Sequence, residues 1–203
     1  MTPTSFSLTG QREKYREFYE GMTWDEVPIL AIDTETTGFS STSRIVEIGM
    51  VLMDGEEVVD SFQSFLDPGH PMPEDASSVN GITDVMLEGA PKFKDIEGDV
   101  LEFLCRGAPW VMHNAPFDMR MLSYDLPVHR WPQVPTLCTL KKARAHGHRK
   151  ATLDVLAAHY DIEQKEAHRA VDDARVCGLI ARHFTRGRLI LDTFTKFAHQ
   201  WDF

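Results

Sequence analysis

Three short blocks rich in acidic residues constrain the fold of this chain more than any other feature. The blocks are Asp33-Thr-Glu35-Thr-Thr-Gly38, His113-Asn-Ala-Pro-Phe-Asp118 and His168-Arg-Ala-Val-Asp-Asp173. Each block follows or opens a predicted regular element, so a single fold can bring all three to one place. Carboxylates crowded in this way repel one another and require a cation at neutral pH. The set therefore predicts a divalent-metal site with a histidine beside it, which is the chemistry of phosphodiester hydrolysis.

The first block combines a buried strand with a glycine turn. Alternate residues of a strand point to one face, so Asp33 and Glu35 project together, about 6–7 Å apart along the chain. Two such carboxylates can share one ion or bind two adjacent ions. The following residues, Thr36-Thr37-Gly38, turn the chain and leave backbone amides and room for the close approach of a substrate.

The second and third blocks each place an acid near the start of a helix. Asp118 follows a predicted strand, and Pro116 favours a helix start beside it. His113 and Asn114 are either ligands or hydrogen-bonding residues of the loop. In the third block His168 precedes the helix and is a candidate general base, because the ordinary pKa of histidine lies near neutrality. Either Asp172 or Asp173 points inward, and helical periodicity does not decide between them.

These blocks resemble the three motifs of the DEDDh exonuclease family, which includes the proofreading subunits of bacterial replicative polymerases. Two intervening segments, Arg44-Ile-Val-Glu-Ile-Gly49 and Asn80-Gly-Ile-Thr83, also resemble family segments. Proofreading subunits often carry a histidine where this chain has Asn80. The resemblance covers roughly residues 28–186, and the family's five-residue step from His to Asp selects Asp173 over Asp172.

The resemblance implies a ribonuclease-H-like fold and the release of nucleoside monophosphates from 3′ ends. Single-stranded DNA is the expected substrate, with RNA 3′ ends as the alternative. It implies that two Mg²⁺ or Mn²⁺ ions are held by Asp33, Glu35, Asp118 and Asp173. It also implies that His168 takes a proton from the attacking water. Oxygen ligands suit these ions, and the absence of a Cys/His cluster argues against zinc.

Several residues are expected to contact the substrate. They are Thr36, Thr37, Gly38, Phe39, Asn114 and Phe117. Phe39 and Phe117 are placed to stack on the terminal bases, a contact that tolerates any sequence. The alternative is that both aromatic side chains belong to the core.

The charge distribution favours local rather than broad binding of nucleic acid. The net charge is −10, but residues 51–104 carry 13 acidic and 2 basic residues, which accounts for the whole excess. The segment Lys141–Lys150 has five Lys or Arg and no acid, so it is either a track for a phosphate backbone or a solvated loop. The motifs do not distinguish DNA from RNA. A non-catalytic subunit that binds a polymerase is the other alternative. The candidate protein partners are a polymerase and, in a homodimer, a second copy of this chain.

The predicted organisation is one α/β domain with a mixed five-stranded sheet flanked by helices. Residues 1–27 are expected to form an extension that contains a helix over Gln11–Glu20, residues 28–186 the exonuclease domain, and residues 187–203 a helical tail. The chain pattern itself predicts four strands, at Ile29–Asp33, Ile45–Met53, Val58–Leu66 and Pro109–His113. Helices are predicted over Ile96–Cys105, Phe117–Tyr124, Leu137–Ala145, Leu153–Tyr160 and Ala170–Phe184.

The sequence also predicts a cytoplasmic location. No stretch approaches the roughly 18–20 apolar residues of a membrane span, and Met1–Gly21 lacks the pattern of a secretory signal. The three cysteines are widely separated and odd in number, which is typical of free thiols in a reducing compartment.

Overall fold

Five strands form one mixed sheet at the centre of the computed structural model, which describes residues 18–19, 21–132 and 134–185. The strands are β1 (Ile29–Thr36), β2 (Ile45–Asp54), β3 (Glu57–Phe65), β4 (Trp110–Met112) and β5 (Thr136–Cys138). Their order across the sheet is β3-β2-β1-β4-β5. The pairs β1–β2 and β2–β3 are antiparallel, and β1–β4 and β4–β5 are parallel. Strand β1, which carries the first acidic block, is therefore the central strand.

Helices pack on the sheet and connect its parallel strands. They are α1 (Glu74–Asn80), α2 (Asp84–Leu87), α3 (Phe93–Leu104), α4 (Ala115–Asp125), α5 (Thr139–Ala145), α6 (Leu153–His159) and α7 (Ala170–Phe184). Among the described residues, short 3₁₀ turns occur at Trp24–Glu26 and Val128–Arg130. The predicted fold class, a mixed five-stranded sheet flanked by helices, is confirmed.

The sequence pattern missed β5 and assigned two of its residues to a helix. The helix predicted over Leu137–Ala145 begins only at Thr139, because Leu137 and Cys138 belong to the strand. All three residues of β5 are buried. A strand this short shows no polar–apolar alternation, and its apolar residues run directly into the helical pattern that follows.

The alternation of β1 divides the core into two layers. Leu30 and Ile32 pack in the cluster that contains residues of α3 and α4. Ile29 and Ala31, which point to the other face, pack with residues of α7. The two sides of one strand therefore connect the helix that carries the second acidic block to the helix that carries the third.

The segment before β1 packs against the α7 side of the sheet. Tyr19, Trp24 and Val27 are buried in the same cluster as α7. Arg182 of α7 donates hydrogen bonds to the carbonyl oxygens of Trp24, Val27 and Gly55. The boundary predicted near residue 27 stays a prediction. Most of the predicted helix over Gln11–Glu20 and the whole tail over 187–203 lie outside the described residues.

The structure also bears on the cysteines and on membrane-spanning helices. Cys105, Cys138 and Cys177 are free thiols. Within the part of the chain that the structure describes, no helix is both long enough and apolar enough to cross a membrane.

Candidate active site

The first pair of carboxylates lies on the central strand, close to its carboxyl end. Asp33 pairs with Gly49 and Glu35 pairs with Glu47 on the antiparallel neighbour β2. Both side chains are partly buried. Burial is the largest cause that raises the pKa of each, and it brings the pKa of Glu35 to about 7.

Asp118 reaches this pair from the first turn of α4. The helix begins after Asn114, which adopts a left-handed conformation with φ of 74° and accepts a hydrogen bond from the Phe117 amide at 2.8 Å. The Asp118 side chain is only 2% exposed. The Thr34 hydroxyl donates to its Oδ1 at 2.8 Å, whereas Oδ2 has no hydrogen-bond partner among the described residues.

The unpaired oxygen of Asp118 is unfavourable in the absence of a cation. A buried acceptor without a donor costs about 1–3 kcal/mol, and more when it is charged. Burial raises the pKa of Asp118 to about 7, and the pKa of Asp33 is raised further by the Asp118 charge. Such an oxygen, surrounded by other carboxylates, is the type of ligand that Mg²⁺ and Mn²⁺ prefer.

The structure separates the two adjacent acids of the third block. Asp172 accepts hydrogen bonds from the Glu166 amide at 2.8 Å and from Arg175 Nε at 2.9 Å. Its carboxylate is therefore used to hold the loop before α7. Asp173 instead joins Asp33, Glu35 and Asp118 in what we call the acidic cluster. Its charge there raises the pKa of both Asp33 and Glu35.

His168 lies beside this cluster, on the loop that leads into α7. One ligand atom each of Glu35, His168 and Asp173 lies within 4.8 Å of the other two, which makes a group able to hold a metal ion. The His168 side chain is exposed, and its backbone has a left-handed φ of 61°. Asp173 Oδ1 also accepts a hydrogen bond from Gln164 Nε2 at 2.6 Å. The fold thus gathers the four acids and the histidine that the sequence singled out.

The glycine turn after β1 is closed by its own threonines. The Thr36 hydroxyl donates to the Gly38 carbonyl at 2.8 Å, and Thr37 exchanges hydrogen bonds with the backbone of Arg44. Gly38 has a φ of 141°, where a side chain is strained, and a Cβ atom there would lie 3.2 Å from Ser43 Oγ. The threonines therefore shape the loop, and their contact with a substrate stays a prediction.

The loop ends in an exposed aromatic side chain. Phe39 is 79% exposed, so it is not a core residue, and its ring centroid lies 5.5 Å from that of Phe117. Phe117 is partly buried against the core cluster. Arg120 Nη2 donates to the Phe39 carbonyl at 3.2 Å, which fixes the loop to α4. The two rings form one aromatic surface, in which Phe117 is held by the core and Phe39 is open to solvent.

His113 and Asn80 hold the loops around the site. His113 Nδ1 lies 2.8 Å from the Thr139 hydroxyl, and burial lowers the pKa of His113 to about 4, which keeps the ring neutral. Of the two interpretations of His113, hydrogen bonding is the one that this geometry matches, although the partner is the first residue of α5 and not the loop itself. Asn80 Nδ2 donates to the Thr36 carbonyl at 3.2 Å, and its Oδ1 accepts from the Ile82 amide at 3.0 Å.

Sequence reasoning missed three polar side chains around the cluster. Thr34, Gln164 and Glu47 bond, respectively, to Asp118, to Asp173 and to an arginine of the third block. Thr34 could have been found, because it lies between the two acids of the first block. Gln164 gave no local signal, and Glu47 was noted only as part of the segment Arg44–Gly49, since the partners of both residues are fixed only by the tertiary fold.

A central strand whose carboxyl end gathers four carboxylates and a histidine defines a nuclease of the ribonuclease-H-like class. The exonuclease family model named after ribonuclease T matches residues 30–181. A relative named DNA polymerase III subunit epsilon, from Treponema pallidum, is 36% identical over 160 residues, covering 75% of this chain and 74% of its own. The chain therefore belongs to this exonuclease family, and the predicted class of enzyme, a 3′→5′ exonuclease, is confirmed.

Solved structures agree with the fold. Exonuclease X in complex with 5′-overhanging duplex DNA matches with a TM-score of 0.61 at 24% identity, covering 77% of this chain and 90% of that chain. The nuclease domain of 3′hExo, a DEDDh family member bound to rAMP, matches with a TM-score of 0.60 at 16% identity, covering 78% and 91%. Members of the family use divalent metal ions, and the acidic cluster of this chain fits such an ion.

Proposed function

We propose that this protein removes nucleoside monophosphates one at a time from 3′ ends, preferably of single-stranded DNA. The observation that carries the proposal is the buried Asp118 oxygen without a hydrogen-bond partner among the described residues, inside a cluster of four carboxylates. Asp33, Glu35, Asp118 and Asp173 would hold two Mg²⁺ or Mn²⁺ ions. When bound, such ions stabilise the charge of the reacting phosphate and make water a better nucleophile.

His168 is proposed as the general base of the reaction. A general base must lie within hydrogen-bond reach of the proton that it removes. The His168 ring lies beside Glu35 and Asp173, so a water at the cluster is within its range. Because the ring is also exposed, it can pass the proton to bulk solvent after each turnover.

The aromatic surface supports binding of an unpaired strand. Phe39 and Phe117 present rings on which unstacked bases can lie, and stacking gives about 1–3 kcal/mol per base with any sequence. A base that stacks on a protein ring must first leave its neighbour in the duplex. The arrangement therefore supports a single strand or a frayed end as the substrate.

The identity of the relatives supports editing of newly made DNA as the setting of the reaction. The relative from Treponema pallidum bears the name of a replicative polymerase subunit. We therefore propose a polymerase as a partner of this chain. RNA remains the alternative substrate, because the bound ions would act on the phosphate, which DNA and RNA share.

The experiment uses oligonucleotides labelled at the 5′ end, as DNA and as RNA, with EDTA, Mg²⁺ or Mn²⁺. A ladder that shortens by one nucleotide at a time, only with metal, is the expected result. Asp118→Asn and His168→Gln are each expected to lower kcat at least 100-fold. Asp60→Asn, which removes an exposed acid paired with Arg106, serves as the matched control. Cleavage of RNA alone would change the substrate, and equal rates in all variants would refute the assignment of the site.

A further inference from the structure

A fifth carboxylate, Glu47, lies beside the acidic cluster but is used differently. It is on β2, directly opposite Glu35, and it is completely buried. Gln63 Nε2 donates to its Oε1 at 2.6 Å, and Arg169 Nη1 donates to its Oε2 at 2.9 Å. Because both oxygens already accept hydrogen bonds from the protein, Glu47 is an anchor for Arg169 rather than a ligand for an ion.

Arg169 connects this anchor to the candidate general base. It directly follows His168 and immediately precedes α7, the helix that carries Asp173. Its second terminal nitrogen, Nη2, donates to the Asn80 carbonyl at 2.6 Å. One guanidinium group thus ties the start of α7 to strand β2 and to the end of α1.

The hydrogen bonds of Glu47, Arg169 and Asn80 lead back to the strand that carries Glu35. Asn80, whose carbonyl accepts from Arg169, donates through its side chain to the carbonyl of Thr36, the residue after Glu35. Glu47 lies across the β1–β2 pair from Glu35 itself. Glu47 and Asn80 therefore connect Arg169, in the third acidic block, to the strand that carries the first block.

The backbone at His168 shows why such an anchor is needed. A left-handed conformation at a residue other than glycine costs about 1 kcal/mol and persists only where the surroundings hold it. His168 adopts it with a φ of 61°, and its side chain is exposed, so the ring has little packing of its own to fix it. The bonds of the next residue, Arg169, supply the restraint.

We propose that Glu47 is a positioning residue that, through Arg169, fixes His168 and the start of α7 against Glu35. This inference rests on the proposed function, because it assigns His168 the role of general base. Removal of one partner of a buried ion pair leaves the other charge uncompensated. Loss of a residue that orients a metal ligand typically costs 10–100-fold in metal affinity or activity. Glu47 is accordingly expected to control turnover without touching the substrate.

The test compares Glu47→Gln, Arg169→Gln and the double variant with Arg182→Gln. Arg182 is a matched control, because it lies on the same helix and likewise ties α7 to backbone carbonyls, but at the far end from the site. Kinetics on a single-stranded DNA oligonucleotide give kcat and KM separately. Titration calorimetry with Mn²⁺ alone gives a readout that needs no turnover.

We expect both single variants at the Glu47–Arg169 pair to lower kcat and Mn²⁺ affinity by about 10–100-fold, with KM within twofold of the wild type. The double variant is expected to be no worse than the single variants, because the pair acts as one unit. Arg182→Gln should lower the melting temperature as much as Arg169→Gln while leaving kcat and Mn²⁺ affinity unchanged.

Three outcomes would overturn the inference: wild-type kcat in Glu47→Gln, a loss confined to KM, or equal losses of kcat in Arg182→Gln. A wild-type protein that degrades no oligonucleotide would instead refute the proposed function. In that case the Mn²⁺ titration still decides whether Glu47 positions the acidic cluster, since it compares the same variants without catalysis.

Discussion

The backbone of Ala170 lies directly against Gly49, so closely that a Cβ atom at Gly49 would be 2.2 Å from the Ala170 carbonyl carbon. Gly49 is also the partner of Asp33 in the β1–β2 pair. The missing side chain therefore lets the first turn of α7 rest on the sheet beside Asp33. This close approach is what brings Asp173, from the far end of the chain, to the acids of the central strand.

Replacement of Gly49 by alanine is expected to displace the start of α7. The new methyl group cannot fit against fixed backbone atoms, and overpacking of this kind costs about 1–3 kcal/mol. We expect Gly49→Ala to lower the melting temperature and to reduce kcat at least 100-fold. Gly98→Ala is the control. Gly98 lies in the middle of α3, and a Cβ atom there would meet nothing within 4 Å. That variant should be as active as the wild type and slightly more stable.

Asp118→Asn is expected to stabilise the metal-free protein even though it abolishes activity. The change removes a buried negative charge that raises the pKa of Asp33, while the amide oxygen can still accept from Thr34. We expect a gain of about 1–2 kcal/mol in the free energy of unfolding in EDTA at pH 8. Thermal denaturation of wild type and variant in EDTA measures it, and a less stable variant would contradict the assigned repulsion.

The stability of the metal-free protein is expected to fall as pH rises. A carboxyl group with a raised pKa in the folded state stabilises the fold below its ordinary pKa and loses that contribution as pH rises through the folded-state pKa. The pKa values of Glu35 and Asp118 rise from their ordinary values of 4.5 and 3.8 to about 7. The loss should therefore extend from about pH 4 to just above pH 7.

Melting temperatures at pH 5 and pH 8, each with EDTA and with excess Mg²⁺, test this pH dependence. Bound Mg²⁺ stabilises the folded state that holds the ionised carboxylates, so it should raise the melting temperature mainly at pH 8. An equal effect of Mg²⁺ at both pH values would show that these carboxylates are not the groups involved.

Phe39→Ala is expected to weaken substrate binding without affecting the fold. The ring is largely exposed, so its removal creates no cavity, but it deletes one side of the aromatic surface formed with Phe117. We expect KM for single-stranded DNA to rise about tenfold, from the loss of about 1–3 kcal/mol of stacking. Val85→Ala, which trims another exposed apolar side chain, is the control. Equal KM values in the two variants would show that Phe39 does not contribute to substrate binding.

The basic segment Lys141–Lys150 is expected to contribute to binding of longer strands through phosphates. Residues on both sides of the segment interact with His113: its Nδ1 lies 2.8 Å from the Thr139 hydroxyl, and its ring interacts with the backbone of Ala151. Replacement of Arg144, Arg149 and Lys150 by glutamine should flatten the dependence of KM on salt, by about 0.7 in logarithmic slope for each phosphate that the variant no longer neutralises. A trinucleotide should show no change. An unchanged slope would favour the alternative, a solvated loop.

Local pattern determined much of the scaffold. The apolar run of β1 and the period of two placed Asp33 and Glu35 on one side of a strand, because that period is a property of the extended backbone. The dipeptide Asp54-Gly55, which is typical of a hairpin turn, connects β2 and β3, and Gly55 has a φ of 59° there. Helix α7 began and ended at the residues predicted from its periodicity, Ala170 and Phe184.

Tertiary structure decided the choices that periodicity leaves open. Periodicity could not separate Asp172 from Asp173, because α7 is buried on the sides of both, at Val176 as well as at Cys177. The Glu166 amide and Arg175 donate hydrogen bonds to Asp172, so Asp173 is the acid that lies in the acidic cluster.

The burial of Glu47 likewise depends on a partner 122 residues away. A sequence pattern reports which side of an element is apolar, whereas the partner of a buried charge is chosen by contacts between distant segments, and these exist only once the chain has folded.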